Sequence, residues 1–290
     1  MADQDRAAPS PSDTLAIVAG GGSLPFAVAD AVLARGRRVA VLALRGFADP
    51  ARVGGYVHEW GRVAQLGRFR RFARDYGCRD IVFIGTVMRP SLSQVRLDFG
   101  ALMALPHIIA SLRGGDDHLL TTVGRVFEHY GFRVLGAHQV APEILVPAGA
   151  LGRHRPAAQD DADIARALTL LHAMGPSDVG QAAVVAGGHV IAVEAAEGTD
   201  QMLARVADLR RSGRVPAGRG VLVKAPKPGQ DQRFDLPAIG PETVDGVVRA
   251  GLAGVAVVAG QTIIAEPQLV VQKADTANVF VAGLQMPPTA

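Results

Sequence analysis

Leu15-Ala16-Ile17-Val18-Ala19-Gly20-Gly21-Gly22-Ser23-Leu24-Pro25-Phe26 is the stretch on which the reading of the first half turns. Its five opening residues are apolar without alternation, the pattern of a strand buried on both faces. Three glycines and a serine follow, and a helical pattern then runs from Pro25 to Arg35. Glycine lets the backbone turn sharply, and the start of a helix leaves free amides. Outward from this unit the same alternation repeats. Strand-like runs occupy Val39–Leu44, Asp80–Val87 and Arg133–Gly136, and helix-like runs occupy Phe69–Tyr76, Leu97–Leu112 and His118–Tyr130. Such alternation predicts a parallel sheet covered by helices.

The fold expected is therefore α/β, with a Rossmann-like parallel-sheet domain over 14–146. A linker is expected over 147–159, where Pro, Gly and charge concentrate. A mixed α/β domain over 160–286 opens with a helix at Asp160–Met174. Strands are expected at Gln181–Ala186 and Val190–Ala195, joined by Gly187-Gly188, a hairpin signal. A helix at Gln201–Arg211, capped by Thr199 or Asp200, comes next. Further elements are a strand at Val221–Lys224, a helix near Glu242–Ala250, and strands at Gly254–Val258, Ile263–Ala265 and Val279–Gly283.

Composition narrows the function. With 49% apolar and 20% charged residues the chain reads as globular. A net charge of +3 with one Trp and three Tyr offers no basic, aromatic-interleaved stripe for nucleic acid. The single cysteine, Cys78, excludes an internal disulfide framework and suits a reducing cytoplasm. The polar start is not a signal peptide, and no run of 18 apolar residues suggests a membrane span.

Several motifs could carry chemistry. The turn Gly20, Gly21, Gly22, Ser23 suits a phosphate, because backbone and helix amides can approach it. As a dinucleotide fingerprint it fails, with Pro25 at the third glycine position and Arg45, not an acid, after the second strand. The competing reading is a tight turn without ligand. Arg89 follows a central strand, where ligands gather, or is a surface arginine before a proline-led turn. In Gly115-Asp116-Asp117-His118, helix capping explains the acids better than a metal does. Glu194, Glu197 and Asp200, near Thr199, could hold Mg²⁺ or sugar hydroxyls, or serve as a wet hairpin face and a cap.

The densest signal lies in Val221-Leu222-Val223-Lys224-Ala225-Pro226-Lys227-Pro228-Gly229-Gln230-Asp231-Gln232-Arg233-Phe234-Asp235-Leu236-Pro237. The chain has three lysines against 27 arginines, and two of the three stand here. Lys224 and Lys227 beside Asp231, Asp235, Arg233 and Gln230 can bind an anionic phosphate and hold a hard divalent metal against it. If 231–235 were a strand, Asp231, Arg233 and Asp235 would share a face. The competing reading pairs Arg233 with Asp231 or Asp235 within the loop.

Taken together, Ile17 to Pro25, Gly85 to Pro90, Gly180 to Val185, Glu194 to Asp200 and Leu222 to Pro241 resemble the LpxI family of UDP-2,3-diacylglucosamine pyrophosphatases. The chain departs from the family at Thr86, where lysine is common. The resemblance implies two domains with a ligand between them, Mg²⁺ dependence, and water attack on the β-phosphorus, giving UMP and a lipid-linked sugar 1-phosphate. The residue chemistry agrees: Asp231, Asp235 or both are expected to bind metal, with Lys224, Lys227, Arg233 and Gln230 completing the catalytic set. Gly20, Gly21, Gly22, Ser23, Arg89, Glu194, Thr199 and Asp200 are expected to bind substrate. A lipid-linked substrate further implies transient contact with the inner-membrane surface from the cytoplasm, without an anchor. Apolar stripes around 101–112 or 244–258 are candidates for an acyl groove. A homodimer is the prior for assembly. The alternatives are an NADP-dependent oxidoreductase using Arg45 and a non-catalytic nucleotide- or lipid-binding regulator.

Overall fold

The computed structural model describes residues 14–87, 116–177, 179–215 and 218–286. Arg89 and the whole of the helix expected at Leu97–Leu112 lie outside them. The chain divides into two compact units. One holds the N-terminal residues to Pro142 together with Asp231–Asp235, and the other holds Glu143–Gln230 with Leu236 onward.

In the first unit, strands β1 (Thr14–Ala19), β2 (Val39–Leu44), β3 (His58–Gly61), β4 (Cys78–Ile84) and β5 (Arg133–Leu135) form an all-parallel sheet in the order β3-β2-β1-β4-β5. β1 and β2 are buried at every position, as their unbroken apolar runs require. Among the described residues, helices α1 (Leu24–Ala34), α2 (Pro50–Val53), α3 (Leu66–Asp75) and α4 (Asp116–His129) lie between the strands, and α5 (Ala137–Val140) follows the last. The strand order reverses between β1 and β4, and their carboxyl ends are where ligands of such sheets bind.

Those two ends meet through glycine. Gly21 and Thr86 exchange backbone hydrogen bonds of 2.8 and 3.0 Å. Gly85 has φ +98°, and a Cβ there would lie 2.7 Å from the Gly21 carbonyl oxygen. At Gly20 a Cβ would come within 2.8 Å of the Gly85 backbone. No larger residue allows this approach.

The amino ends of the same strands are tied by charge. Asp80, fully buried at the start of β4, accepts from Arg133 Nε at 2.6 Å and Nη2 at 2.8 Å, and also from Arg37 just before β2. Three charged groups are tolerated there because the carboxylate oxygens are met by guanidinium donors.

The second unit contains β6 (Gly149–Ala150), β7 (Ala182–Ala186), β8 (His189–Val193), β9 (Val221–Lys224), β10 (Ala238–Ile239), β11 (Gly254–Val258), β12 (Ile263–Ile264) and β13 (Phe280–Leu284). Six of them make a mixed sheet, β6-β13-β11-β9-β7-β8, and β10 pairs with β12. β9, β11 and β13 run parallel, whereas β7 is antiparallel to β8 and β9. The helices are α6 (Ala158–Met174), α7 (Gly198–Arg211), α8 (Pro241–Arg249) and α9 (Pro267–Ala277). Strand residues alternate between two cores. Val184, Leu222, Val255 and Val257 pack with α7, α8 and α9, while Ala183, Val185, Val223 and Ala256 pack with Ile164, Ala167 and Leu171 of α6. The sheet is thus covered on both faces.

Two local differences from expectation have clear causes. Residues 147–159 include β6, which pairs with β13. α9 was not foreseen, because its start is hidden: Glu266, its N-cap, is in the left-handed region at φ 51°, followed by Pro267. The expected α/β class, with a Rossmann-like parallel sheet and a separate mixed α/β unit, is what forms.

Burial alone would raise the Asp80 carboxyl, but the hydrogen bonds from Arg133 and Arg37 outweigh it and hold the group below the ordinary carboxylate range. A depressed folded value means that this stabilisation is complete above the unfolded value near pH 4 and lost as pH falls through the folded value. Asp80→Ala, which takes the carboxylate away from buried Arg37, is expected to lose about 3–5 kcal/mol at pH 7 by urea unfolding. The deficit against wild type should narrow below about pH 4.

Candidate active site

The turn after β1 has divided duties. Gly20 and Gly21 serve the contact with Gly85 and Thr86. Gly22, at φ +88° with open space around its Cβ position, supplies the left-handed residue before the helix. Ser23 is the N-cap of α1 and makes no side-chain cap bond. Its carbonyl accepts from Phe26 and Ala27. Pro25 has no N–H, and the Phe26 and Ala27 amides are spent on Ser23, so the amides this helix start can offer an anion are those of Ser23 and Leu24. Arg45, the residue on which an NADP reading depends, stacks on Trp60 at 5.5 Å.

Residues 231–235 form a turn, so the strand-based sharing of one face does not occur. Asp231 accepts from the Arg233 backbone amide at 3.1 Å, an Asx-turn, and Phe234 N donates to the Asp231 carbonyl at 3.0 Å. Both Asp231 carboxylate oxygens also take the Arg233 guanidinium, with Nε at 2.9 Å and Nη2 at 2.7 Å. Arg233 Nη1 donates to Glu128 Oε1 at 2.6 Å. One arginine is thus gripped by two half-buried carboxylates. The Arg233 hydrogen bond holds Asp231 below the ordinary carboxylate range, against the opposing effect of burial. Asp231 raises the Arg233 guanidinium in turn. Asp235 is half-buried, and its amide donates to the Asp231 carbonyl at 3.3 Å.

Two residues of this neighbourhood escaped the sequence reading. Glu128 stands on α4, 105 positions before Arg233, and no local pattern links them. His138, on α5, has a buried Nδ1 without a hydrogen-bond partner among the described residues. Burial lowers its imidazole, and the nearby Asp231 charge pulls the other way.

In the second unit Lys224 ends β9, opposite Ala182 of β7 and Val257 of β11. It is only 6% exposed, and its Nζ donates to the Ala238 carbonyl at 2.9 Å. Lys227 and Gln230 close the next turn: Gln230 N donates to Lys227 O at 3.3 Å, and Lys227 N to Gln230 Oε1 at 3.2 Å. Gly229 supplies the positive φ of 79° in that turn.

Glu194 is buried, not on a wet hairpin face. Its Oε2 accepts from Gln181 N at 2.8 Å and its Oε1 from Thr199 Oγ1 at 2.8 Å. Thr199 consequently does not cap α7. Glu197 occupies the N-cap position, without a side-chain cap bond, and holds Arg205 at 2.6 Å. Asp200 is exposed in the first helical turn. Since Glu194 N donates to the Ala182 carbonyl and Ala182 pairs with Lys224, Glu194, Thr199, Gln181 and Lys224 gather at one end of the β7–β9 ladder.

Removing the Glu194 carboxylate strands two donors at once. Glu194→Ala is expected to lose about 1–3 kcal/mol per unmet donor in denaturant unfolding. Glu194→Gln, which keeps an acceptor oxygen, should recover part of that loss.

Comparison with known proteins agrees over almost the whole chain. Residues 14–144 match the family described as the LpxI N-terminal domain, and residues 147–282 match the LpxI C-terminal domain. The chain is also similar to "UDP-2,3-diacylglucosamine pyrophosphatase LpxI" of Caulobacter vibrioides. The two are 43% identical over 272 residues, covering 93% of this chain and 97% of that protein.

Proposed function

The chain belongs to the LpxI family, and from that premise we propose that it hydrolyses the pyrophosphate of UDP-2,3-diacylglucosamine, as the name of its Caulobacter relative describes. The products are UMP and 2,3-diacylglucosamine 1-phosphate, which places the reaction in lipid A biosynthesis. The observation that carries this reading is similarity at 43% identity over nearly the full length of both proteins.

The residues support a charge-neutralising mechanism. A pyrophosphate diester repels hydroxide, so the site must supply positive charge and orient a water. Magnesium in phosphoryl chemistry is usually held by one or two carboxylates together with substrate phosphates. Among the described residues no group of three or more His, Cys, Asp or Glu side chains gathers as a ligand set. Both Asp231 oxygens are also engaged by Arg233. These donors fit a magnesium ion shared with the pyrophosphate, which Asp231 or Asp235 would hold, better than a protein cage. When bound, the metal supplies charge neutralisation at the phosphate oxygens.

In the first unit, Asp235 orients the attacking water with one carboxylate oxygen, and Asp231 holds Arg233 for the developing phosphate charge. The Gly20–Ser23 turn and the Leu24 amide of α1 bind the uridine diphosphate. In the second unit, Lys224 and Lys227 add positive charge, Gln230 orients an oxygen, and Glu194, Thr199 and Asp200 bind the sugar. Water oxygen bonds to the β-phosphorus, the bond from that phosphorus to the bridging oxygen breaks, and UMP leaves with the bridge.

Purified protein given UDP-2,3-diacylglucosamine should release UMP with Mg²⁺ and none with EDTA. Hydrolysis in ¹⁸O-water should label the sugar 1-phosphate and not UMP. Asp235→Ala and Asp231→Ala should still bind substrate but release UMP at least about 100-fold more slowly. Wild-type rates in both would remove these two carboxylates from the mechanism.

The lipid-linked substrate also calls for contact with the inner-membrane surface. No described helix is long and apolar enough to cross a membrane, so peripheral association is the form proposed. A salt wash should release the protein from isolated membranes, and retention of all of it would oppose this reading.

A further inference from the structure

Helix α4 carries two residues that its own chemistry disfavours. Gly124 lies in its interior, where glycine costs about 1 kcal/mol relative to alanine. Glu128 lies in its last turn, where the helix dipole disfavours a carboxylate by about 0.3–1 kcal/mol. The two are four residues apart and therefore share a face, with Phe127 beside them.

Both touch the same dipeptide. A Cβ on Gly124 would overlap the Phe234 ring, so glycine is what lets that ring lie against the helix backbone. Phe234 also packs on Phe83, with centroids 5.8 Å apart, and Phe83 packs on Phe127 at 5.2 Å. Glu128 takes Arg233 Nη1 at 2.6 Å. A third close approach supports these two: a Cβ on Gly136 would lie 3.1 Å from the Arg233 Cα. Local rules broken at two positions for one shared contact point to function more than to folding.

We propose that Gly124 and Glu128 form a seat on α4 that receives Phe234 and Arg233 and so fixes the guanidinium for a phosphate. The seat rests on the phosphate role given to Arg233 above. An arginine has five N–H donors. The bonds to Asp231 and Glu128 use Nε and one N–H on each terminal nitrogen. One N–H remains on Nη1 and one on Nη2, charged donors that phosphate oxygens can accept. With Glu128 absent the guanidinium could swing about its Asp231 contact, and with Gly124 filled the turn would be lifted bodily. Gly124 and Glu128 are thus positioning residues that need not meet the substrate.

Four variants test this: Gly124→Ala, Phe234→Leu, their combination, and Glu128→Gln. The readouts are kcat and KM for UDP-2,3-diacylglucosamine, thermal unfolding and, where residue 234 stays aromatic, the ¹⁹F resonance of 2-fluorophenylalanine placed there, away from the ring edge that meets Gly124. Gly124→Ala is expected to lower kcat about 10–100-fold, as a misplacement near 1 Å does, with KM within about threefold and the ¹⁹F line displaced. Phe234→Leu in that background should regain at least about tenfold, because the ring edge that meets the new Cβ is gone. Glu128→Gln, which keeps an acceptor but loses charge, should fall between wild type and Gly124→Ala. All four should remain folded. A folded Gly124→Ala protein with wild-type kcat, or one that Phe234→Leu does not rescue, would overturn the seat. Wild-type protein that releases no UMP would overturn the proposed function instead. The ¹⁹F line would then still judge the seat, since an unmoved resonance in Gly124→Ala refutes it.

Discussion

Burying Asp80 between two arginines is the constraint from which the N-terminal sheet takes its polarity. Its carboxylate meets Arg133 of β5 and Arg37 before β2, and so spans the amino ends of the strands from one side of β1 to the other. A fully buried charge is tolerable only when its oxygens are met by charged donors. With that end fastened by ion pairs, the carboxyl ends are left to backbone geometry. There Gly20, Gly21 and Gly85 bring β1 and β4 to van der Waals limits. One end of the sheet is held by strong polar bonds, and the other is stripped of side chains. Chemistry on phosphates suits the stripped end, where amides and a helix terminus are within reach of a ligand.

Much of this architecture could be read from local pattern. β1, β2, β9 and β11 are short apolar runs between turn residues, and each forms a strand. The Gly187-Gly188 turn joins β7 and β8 as expected, with φ of 57° and 77°. The failures were of one kind, where a tertiary contact sets a local choice. β3, His58-Glu59-Trp60-Gly61, has neither alternation nor an apolar run, and its strand state comes from pairing with β2. α9 begins after a left-handed glutamate that no start rule describes.

The candidate site was legible to a lesser degree. Lysine scarcity and charge density singled out 224–235, where Lys224 meets the Ala238 carbonyl and Arg233 meets Asp231 and Glu128. Their partners did not show in the sequence. Glu128 is an ordinary helical glutamate until Arg233 arrives from 105 residues away. The carboxylate at Glu194 looked like a solvent-facing or metal-binding group because a buried acid and a wet acid are identical as letters. What distinguishes them is that the Gln181 amide and the Thr199 hydroxyl both point at it. Periodicity reports which face of an element is apolar, and it carries no information on which polar groups will meet across a fold.

The placement of Asp231–Asp235 within the N-terminal unit has a consequence for synthesis. At about 5–20 residues per second, roughly 5–20 s separate translation of Pro142 from that of Asp235. Until then the growing chain offers the aromatic surface around Phe83 and Phe127 without Phe234, and Glu128 without its arginine. The N-terminal unit therefore cannot finish on the ribosome ahead of the second, as a contiguous domain would. Its last piece is delivered when the second unit is already more than half made. Completion of the first fold and assembly of the arginine clamp belong to the same stage, so a nascent chain has no complete clamp before residue 233 has been added.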